Sequence, residues 1–265
     1  KKQRPSLRLI ITSATLRPEN LNKYLGNSHV IELEARNYPV EILYRKCEKS
    51  ETIWKKISLE IKRLINKYDG HILVFVSGAY EITKVIYQIN SEGWSKEFKV
   101  CALHGEMRLD DQEKVIKQSD RRKIIVSTNI AETSLTIEGI QVVIDTGLAK
   151  KSAFDPVRGV NILIPQKISK SSADQRAGRA GRTGPGFCIR LWSKNDHDCR
   201  EDFEPSAVAR LDISEIYLNL RAIGEDPKSI PWFEEPPENS LIRARNMMVK
   251  SGALNSVGEI TEKGE

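Results

Sequence analysis

The sequence predicts an α/β protein: a mostly parallel sheet with helices on both faces. Short continuous apolar runs alternate with longer segments of helical period, which is the pattern of repeated βαβ units. The runs are uniformly apolar rather than alternating, so each strand should be covered on both sides. Polar residues follow the runs directly: Ser13 after 7–11, Ser77 after Val76, His104 after Leu103, Thr128 after Ser127 and Asp145 after Ile144. Open α/β sheets bind ligands outside the carboxyl ends of their strands, so these positions outline a binding edge.

The elements follow in order. Strands are expected at 7–11, 72–76, 100–103, 123–127, 142–144 and 188–192. Ile53, Ile57, Ile61, Leu64, Ile65 and Tyr68 share one face of a helix, and Ile82, Val85, Ile86 and Ile89 share a face of the next. Segment 150–163 contains Phe154-Asp155-Pro156 and Arg158-Gly159, turn signals that fit an inserted β-hairpin. From Pro205 the pattern turns helical, with Ile213, Ile216, Tyr217 and Leu220 on one face. Pro231, Pro236 and Pro237 interrupt it before a helix near 239–250 that should stop at Gly252.

Composition excludes some classes and leaves others. With 265 residues, 39% hydrophobic and 29% charged, the chain can bury a sizeable core and more than one domain. The excess of 42 basic over 36 acidic residues gives a net charge of +6, compatible with a polyanionic partner but spread along the chain. Cys47, Cys101, Cys188 and Cys199 form no C-x-x-C pair, so no metal site is expected and the thiols read as buried or incidental. Without an apolar run of about 18 residues, no membrane partner is expected, and the expected location is cytoplasmic.

The densest chemistry lies in Gln175-Arg176-Ala177-Gly178-Arg179-Ala180-Gly181-Arg182. If this segment is helical, Gln175, Arg179 and Arg182 stand at i, i+4 and i+7 and point the same way. Arginine's planar, permanent charge suits an anion spread over several oxygens, as in phosphoryl transfer. A solvated basic face has the same spacing.

QRAGRAGR resembles motif VI of the DEAH-box helicases. Ser13-Ala14-Thr15 is similar to motif III, residues 72–82 to motif IV, and Thr128-Asn129-Ile130-Ala131-Glu132-Thr133-Ser134-Leu135-Thr136 to motif V, in the family's order. Trp232-Phe233-Glu234-Glu235-Pro236-Pro237 and Ser251-Gly252-Ala253-Leu254 are most similar to the bacterial HrpB-type branch. The resemblance implies a RecA-like fold in which 1–36 ends a first RecA-like domain, 37–204 forms the second, and 205–265 begins a winged-helix domain. Segment 36–41 then resembles an interdomain linker.

It also implies roles. Gln175 positions the attacking water, Arg179 and Arg182 are fingers on the γ-phosphate, and Glu138, Ser134 and Arg176 lie against the nucleotide. Ser77, Gly78, Thr128 and Arg158 hold nucleic acid, and Ser13 and Thr15 couple the two sites. Ser77 and Thr128 would equally serve as helix caps. Glu138 stands where the family commonly has aspartate on the ribose, and Ile116 where relatives stack an aromatic on the base, which implies use of several NTPs. His104, without a catalytic partner at a recognisable spacing, reads as a supporting loop residue.

Neither a G-x-x-x-x-G-K-[ST] loop nor an acidic box occurs in the sequence, so the chain reads as a fragment of a longer helicase, inactive alone. The implied cofactor is ATP, or another NTP, with Mg2+ held mainly by an upstream domain. The implied partners are single-stranded or partly duplex RNA, or DNA, and the first RecA-like domain; an activating protein is not identified. The implied activity is 3′-to-5′ translocation with unwinding. Two alternatives stay open: an RNP-remodelling factor that has lost productive hydrolysis, and a motor of the secretion-ATPase kind acting on protein.

Overall fold

Alternation along the central strands decides how the sheet is covered. The computed structural model describes residues 6–12, 18–26, 28–31, 38–48, 50–133 and 135–265. In chain order these form α1 (Pro18–Leu25), β1 (Val40–Tyr44), α2 (Ile53–Leu64), β2 (His71–Phe75), α3 (Ala79–Asn90), β3 (Lys99–Leu103), α4 (Leu109–Ile116), β4 (Lys123–Ser127) and α5 (Ile130–Thr133). There follow β5 (Ile140–Asp145), β6 (Leu148–Asp155), β7 (Val160–Lys167), α6 (Lys170–Gly178), β8 (Gly186–Arg190), α7 (Lys194–Asp198), α8 (Ala207–Arg210), α9 (Ser214–Ala222) and α10 (Glu238–Ser251). Six strands make one parallel sheet in the order β1-β8-β5-β2-β4-β3.

Ile72, Val74, Ile124, Val126, Val142 and Ile144 turn to one face, where Ile57 and Ile61 of α2 and Ile82, Val85 and Ile89 of α3 cover them. Leu73, Phe75, Ile125, Val143 and Cys188 turn to the other, under Val115 of α4, Ala131 of α5 and Ala177 of α6. Both faces are therefore closed, as the unbroken apolar runs require. Each fully buried Ile, Leu or Val contributes about 1.5–3 kcal/mol, so a one-residue slip of β2 or β4 would misplace many such side chains at once.

Because every strand runs the same way, their carboxyl ends share one edge, which carries Ser77, His104, Thr128 and Asp145. β6 and β7 leave that edge as an antiparallel hairpin, longer at both ends than the turn signals indicate. The C-terminal region is mainly helical around Ile213, Tyr217, Leu241, Ala244 and Leu254. It grips the hairpin: Arg210 donates to the Ser152 carbonyl at 2.8 Å, Asp212 N–H to Asn161 Oδ1 at 3.0 Å, and the Arg243 guanidinium lies 4.9 Å from the Phe154 ring. α10 stops at Gly252, whose left-handed φ of 79° ends the helix as expected. Among the described residues no helix is long and apolar enough to cross a membrane.

Several expectations are corrected. Residues 7–11 form no strand among the described residues; no neighbour pairs with them, and Ile10 is 89% exposed. Part of the 36–41 stretch read as linker begins the edge strand β1, whose half-exposed pattern conceals it. Ile216 is exposed, while Ile213 and Tyr217 carry the buried face of α9.

Candidate functional site

α6 is fastened before it presents anything. Its N-cap Ser169 accepts from Ser172 N–H at 3.1 Å, and the Lys170 and Ser171 N–H groups donate to the carbonyls of Glu201 and Asp202. The helix ends at Gly178 and a 3-10 turn, Arg179–Gly181, follows, so Gln175, Arg179 and Arg182 do not share one continuous α-helical face. Close packing accounts for the break. A Cβ on Gly181 would lie 2.6 Å from the Tyr38 carbonyl oxygen, and one on Gly186 2.4 Å from that of Ala180. Only residues this small let the turn rest against β1 and β8.

The arginines diverge accordingly. Arg176, expected against the nucleotide, is fully buried: Nε donates to Glu132 at 2.9 Å, Nη1 to Asp145 at 3.0 Å, and the guanidinium covers the Phe75 ring. Burial opposes its charge, but Asp145 and Glu132 more than offset this and raise its pKa. Arg179 is buried as well, donating from Nε to the Glu132 carbonyl at 2.9 Å and from Nη1 to that of Leu135 at 2.5 Å. Burial first, then the charge of Arg182, pull Arg179 down to about 10, still cationic at neutral pH. Arg182 is exposed and makes one side-chain bond, to Thr136 Oγ1 at 3.0 Å. Gln175 is half-buried with no side-chain partner among the described residues, and Glu138 is exposed, accepting from Gln118 at 3.4 Å.

On the other side of α5 lies a cleft of about 600 Å³. It brings together Ser77, Gly78 and Thr128, the three residues expected at the nucleic-acid backbone, with Asn129, Lys150, Lys151 and Arg210. The capping alternative is not met: α3 is capped by Gly78, and neither the Ser77 nor the Thr128 hydroxyl has a side-chain partner among the described residues. Arg158 does not join them; it lies in the hairpin turn, loosely paired with Asp155 at 3.7 Å. Ser13, Thr15 and Ser134 lie outside the described residues. Among those described, no three His, Cys, Asp or Glu side chains gather to hold a metal.

Glu132 joins the two sides. It borders the cleft, its carboxylate accepts from Ser172 Oγ at 2.7 Å and from Arg176, and its carbonyl accepts from Arg179. Its role was not singled out from the sequence, nor were those of Lys150, Lys151, Glu204 and Arg210. The only signals available were an acid inside TNIAETS and a lysine pair opening the hairpin segment. His104 borders the cleft with a buried, unpartnered Nδ1.

The helicase conserved C-terminal domain matches residues 55–184. The ATP-dependent RNA helicase HrpA of Borreliella burgdorferi is 36% identical over 272 residues, covering 100% of this chain and 33% of its own length. The probable ATP-dependent RNA helicase DHX34 of Mus musculus is 34% identical over 277 residues, covering 99% of this chain and 24% of its own. The crystal structure of the Escherichia coli DEAH/RHA helicase HrpB, the branch suggested by the tail, superposes with a TM-score of 0.87 at 33% identity, over 95% of this chain and 32% of that one. The chain thus spans a quarter to a third of the length of these relatives. With a RecA-like parallel sheet, the motif order and this similarity in agreement, the chain belongs to the DEAH-box helicase family.

Proposed function

We propose that the chain is the part of an ATP-driven RNA helicase that grips the strand and supplies the arginine finger. Residues 1–36 would close a first RecA-like domain, 37–204 form the second and 205–265 open a winged-helix domain. The observation that carries the reading is the placement, about α5, of a cleft where the Ser77 and Thr128 hydroxyls have no side-chain partner among the described residues, and of the exposed Arg182 beyond it. Hydroxyls and lysines bind phosphates without reading bases, which suits a motor that steps along any sequence. The other side fits a nucleotide: Arg182 for the γ-phosphate, the unpartnered Gln175 amide for water and Glu138 for the ribose.

ATP supplies the phosphoryl group and magnesium neutralises its charge; we place the magnesium ligands in a preceding RecA-like domain. Arg182 is the ready finger. Arg179 reaches a phosphate only by exchanging its bonds to the carbonyls of Glu132 and Leu135, and that exchange would pull on α5 and so on the cleft. In this reading hydrolysis drives 3′-to-5′ translocation and unwinding through closure of the domains. The test is the NTPase rate of the full-length protein, wild type and Arg182→Ala, with and without single-stranded RNA and DNA. A strand-stimulated rate that falls by roughly 10³- to 10⁵-fold in the variant is expected. Absence of hydrolysis in the wild type would favour a remodelling factor that only binds.

A further inference from the structure

A carboxylate on the wall of a cleft that takes a polyanion works against the ligand. Glu204 borders the cleft beside Lys150, Lys151 and Arg210. Its two oxygens are divided: Oε2 pairs with Lys151 Nζ, while Oε1 accepts from the N–H of Ser169, the N-cap of α6, at 2.8 Å. Lys151 also donates to the Lys167 carbonyl at 2.7 Å. Burial acts to raise the Glu204 carboxyl, but the bonds from Lys151 and Ser169 prevail and hold it below the usual carboxylate range, so it is anionic at neutral pH. The adjacent Lys150 forms no ion pair among the described residues, although Glu81 Oε2 lies beside the same face of Gly78. Of two neighbouring lysines, one is available and the other is neutralised by an anion built into the fold.

We propose that Glu204 stands in for a backbone phosphate on Lys151 and so sets how tightly the cleft holds a single strand. When a strand enters, Lys151 exchanges Glu204 for a phosphate; when it leaves, Glu204 takes Lys151 back. A motor must release as well as hold, and an internal competitor lowers affinity without removing a contact. Glu204 also caps the entrance to α6, so the exchange is felt at the helix that leads to Gln175 and Arg182. This inference rests on the reading of the cleft as a nucleic-acid site.

The test is binding of a labelled oligouridylate to the nucleotide-free full-length protein, read by fluorescence anisotropy over a series of salt concentrations. Glu204→Gln keeps an oxygen for the Ser169 N–H but removes the charge. It should tighten binding roughly five- to tenfold at low salt and steepen the slope of log K against log salt, because the wild-type carboxylate, freed of Lys151, takes back a cation as the strand binds. Lys151→Gln should weaken binding and flatten the slope, and adding Glu204→Gln to it should tighten binding less than Glu204→Gln does in the wild-type background, since no lysine is then released. Wild-type affinity and slope in Glu204→Gln would overturn the proposal, as would weaker binding at unchanged slope, the mark of a purely structural role. If the wild type binds no oligonucleotide at all, the reading of the cleft fails, and this inference with it.

Discussion

Arg176→Met removes the one cation between two carboxylates while keeping most of the side chain's apolar volume. Asp145 is fully buried and Arg176 is fully buried with it; the pair lies at 3.0 Å, and Glu132 completes the group at 2.9 Å. In the variant, Asp145 keeps only the Gly147 N–H at 2.8 Å, and its second oxygen already lacks a partner. Breaking a buried pair by deleting one member costs about 3–5 kcal/mol, because the remaining charge is left uncompensated. The whole protein will not unfold in one step, so the appropriate assay is native-state hydrogen exchange at β5 and α6 amides, which reads the local opening free energy. Exchange there should quicken by about two to nearly four orders of magnitude in the variant. A loss below about 1 kcal/mol would refute the assignment of Arg176 as the charge that holds α6 to the sheet.

Three further outcomes are expected. If Ile116 stands where relatives stack an aromatic ring, as the resemblance implies, ATP and GTP should support NTPase rates within about threefold of each other, and strict ATP dependence would count against that reading. His71 and His197 are both held below their ordinary value of 6.5, burial being the first cause and neighbouring Lys123 or Arg190 the next. The unfolded chain then takes up protons first as pH falls below 6.5, so stability present above that pH should decline beneath it, and His71→Gln with His197→Gln should flatten this limb of a melting-temperature profile. We expect the β6–β7 hairpin to help part the strands, so deleting its 156–159 turn should leave strand-stimulated NTPase within about twofold while slowing duplex unwinding at least tenfold; unchanged unwinding in a displacement assay would refute that role.

What was legible in the sequence follows from what is local. The runs of β2, β4 and β5 are buried on both faces, so they read as continuous apolar stretches, and α2 and α3 announce themselves by period. β1 does not, because Glu41 and Ile42 are exposed at the sheet's edge, where packing leaves little pattern. Residues 7–11 mislead in the opposite way, apolar in sequence yet exposed here. At the site, spacing makes Arg176, Arg179 and Arg182 look alike. Their fates are decided by Glu132 and Asp145, 44 and 31 positions from Arg176, a long-range choice that no window of the sequence contains. Ser77, Gly78 and Thr128 fared differently because they lie just beyond the ends of β2 and β4, and parallel strands deliver their ends to one edge whatever the length of chain between them.

On the proposed reading of Arg182 as a finger, the same long-range bonds limit how it can move. α6 is tied at its first turn to the Glu201 and Asp202 carbonyls, at Asp174 to Arg190 of β8 at 2.6 Å, and at Arg176 to Asp145 of β5. Its trailing turn is tied through Gly181 O to Tyr38 N–H at 2.8 Å. Four attachments over so short a span leave Arg182 only the short bend 182–185, pinned on one side by the Gly181 carbonyl on Tyr38 N–H and on the other by Gly186 N–H on the Pro39 carbonyl. If a phosphate is to meet Arg182, the sheet must carry the arginine to it, and the cleft at the same edge must travel as well. On that reading strand grip and the approach of Arg182 are one rigid displacement, and only the bond exchanges proposed at Arg179 and Glu204 would act by relay. A substitution that loosens α6, such as Arg176→Met, should therefore weaken strand stimulation of turnover more than it weakens strand binding.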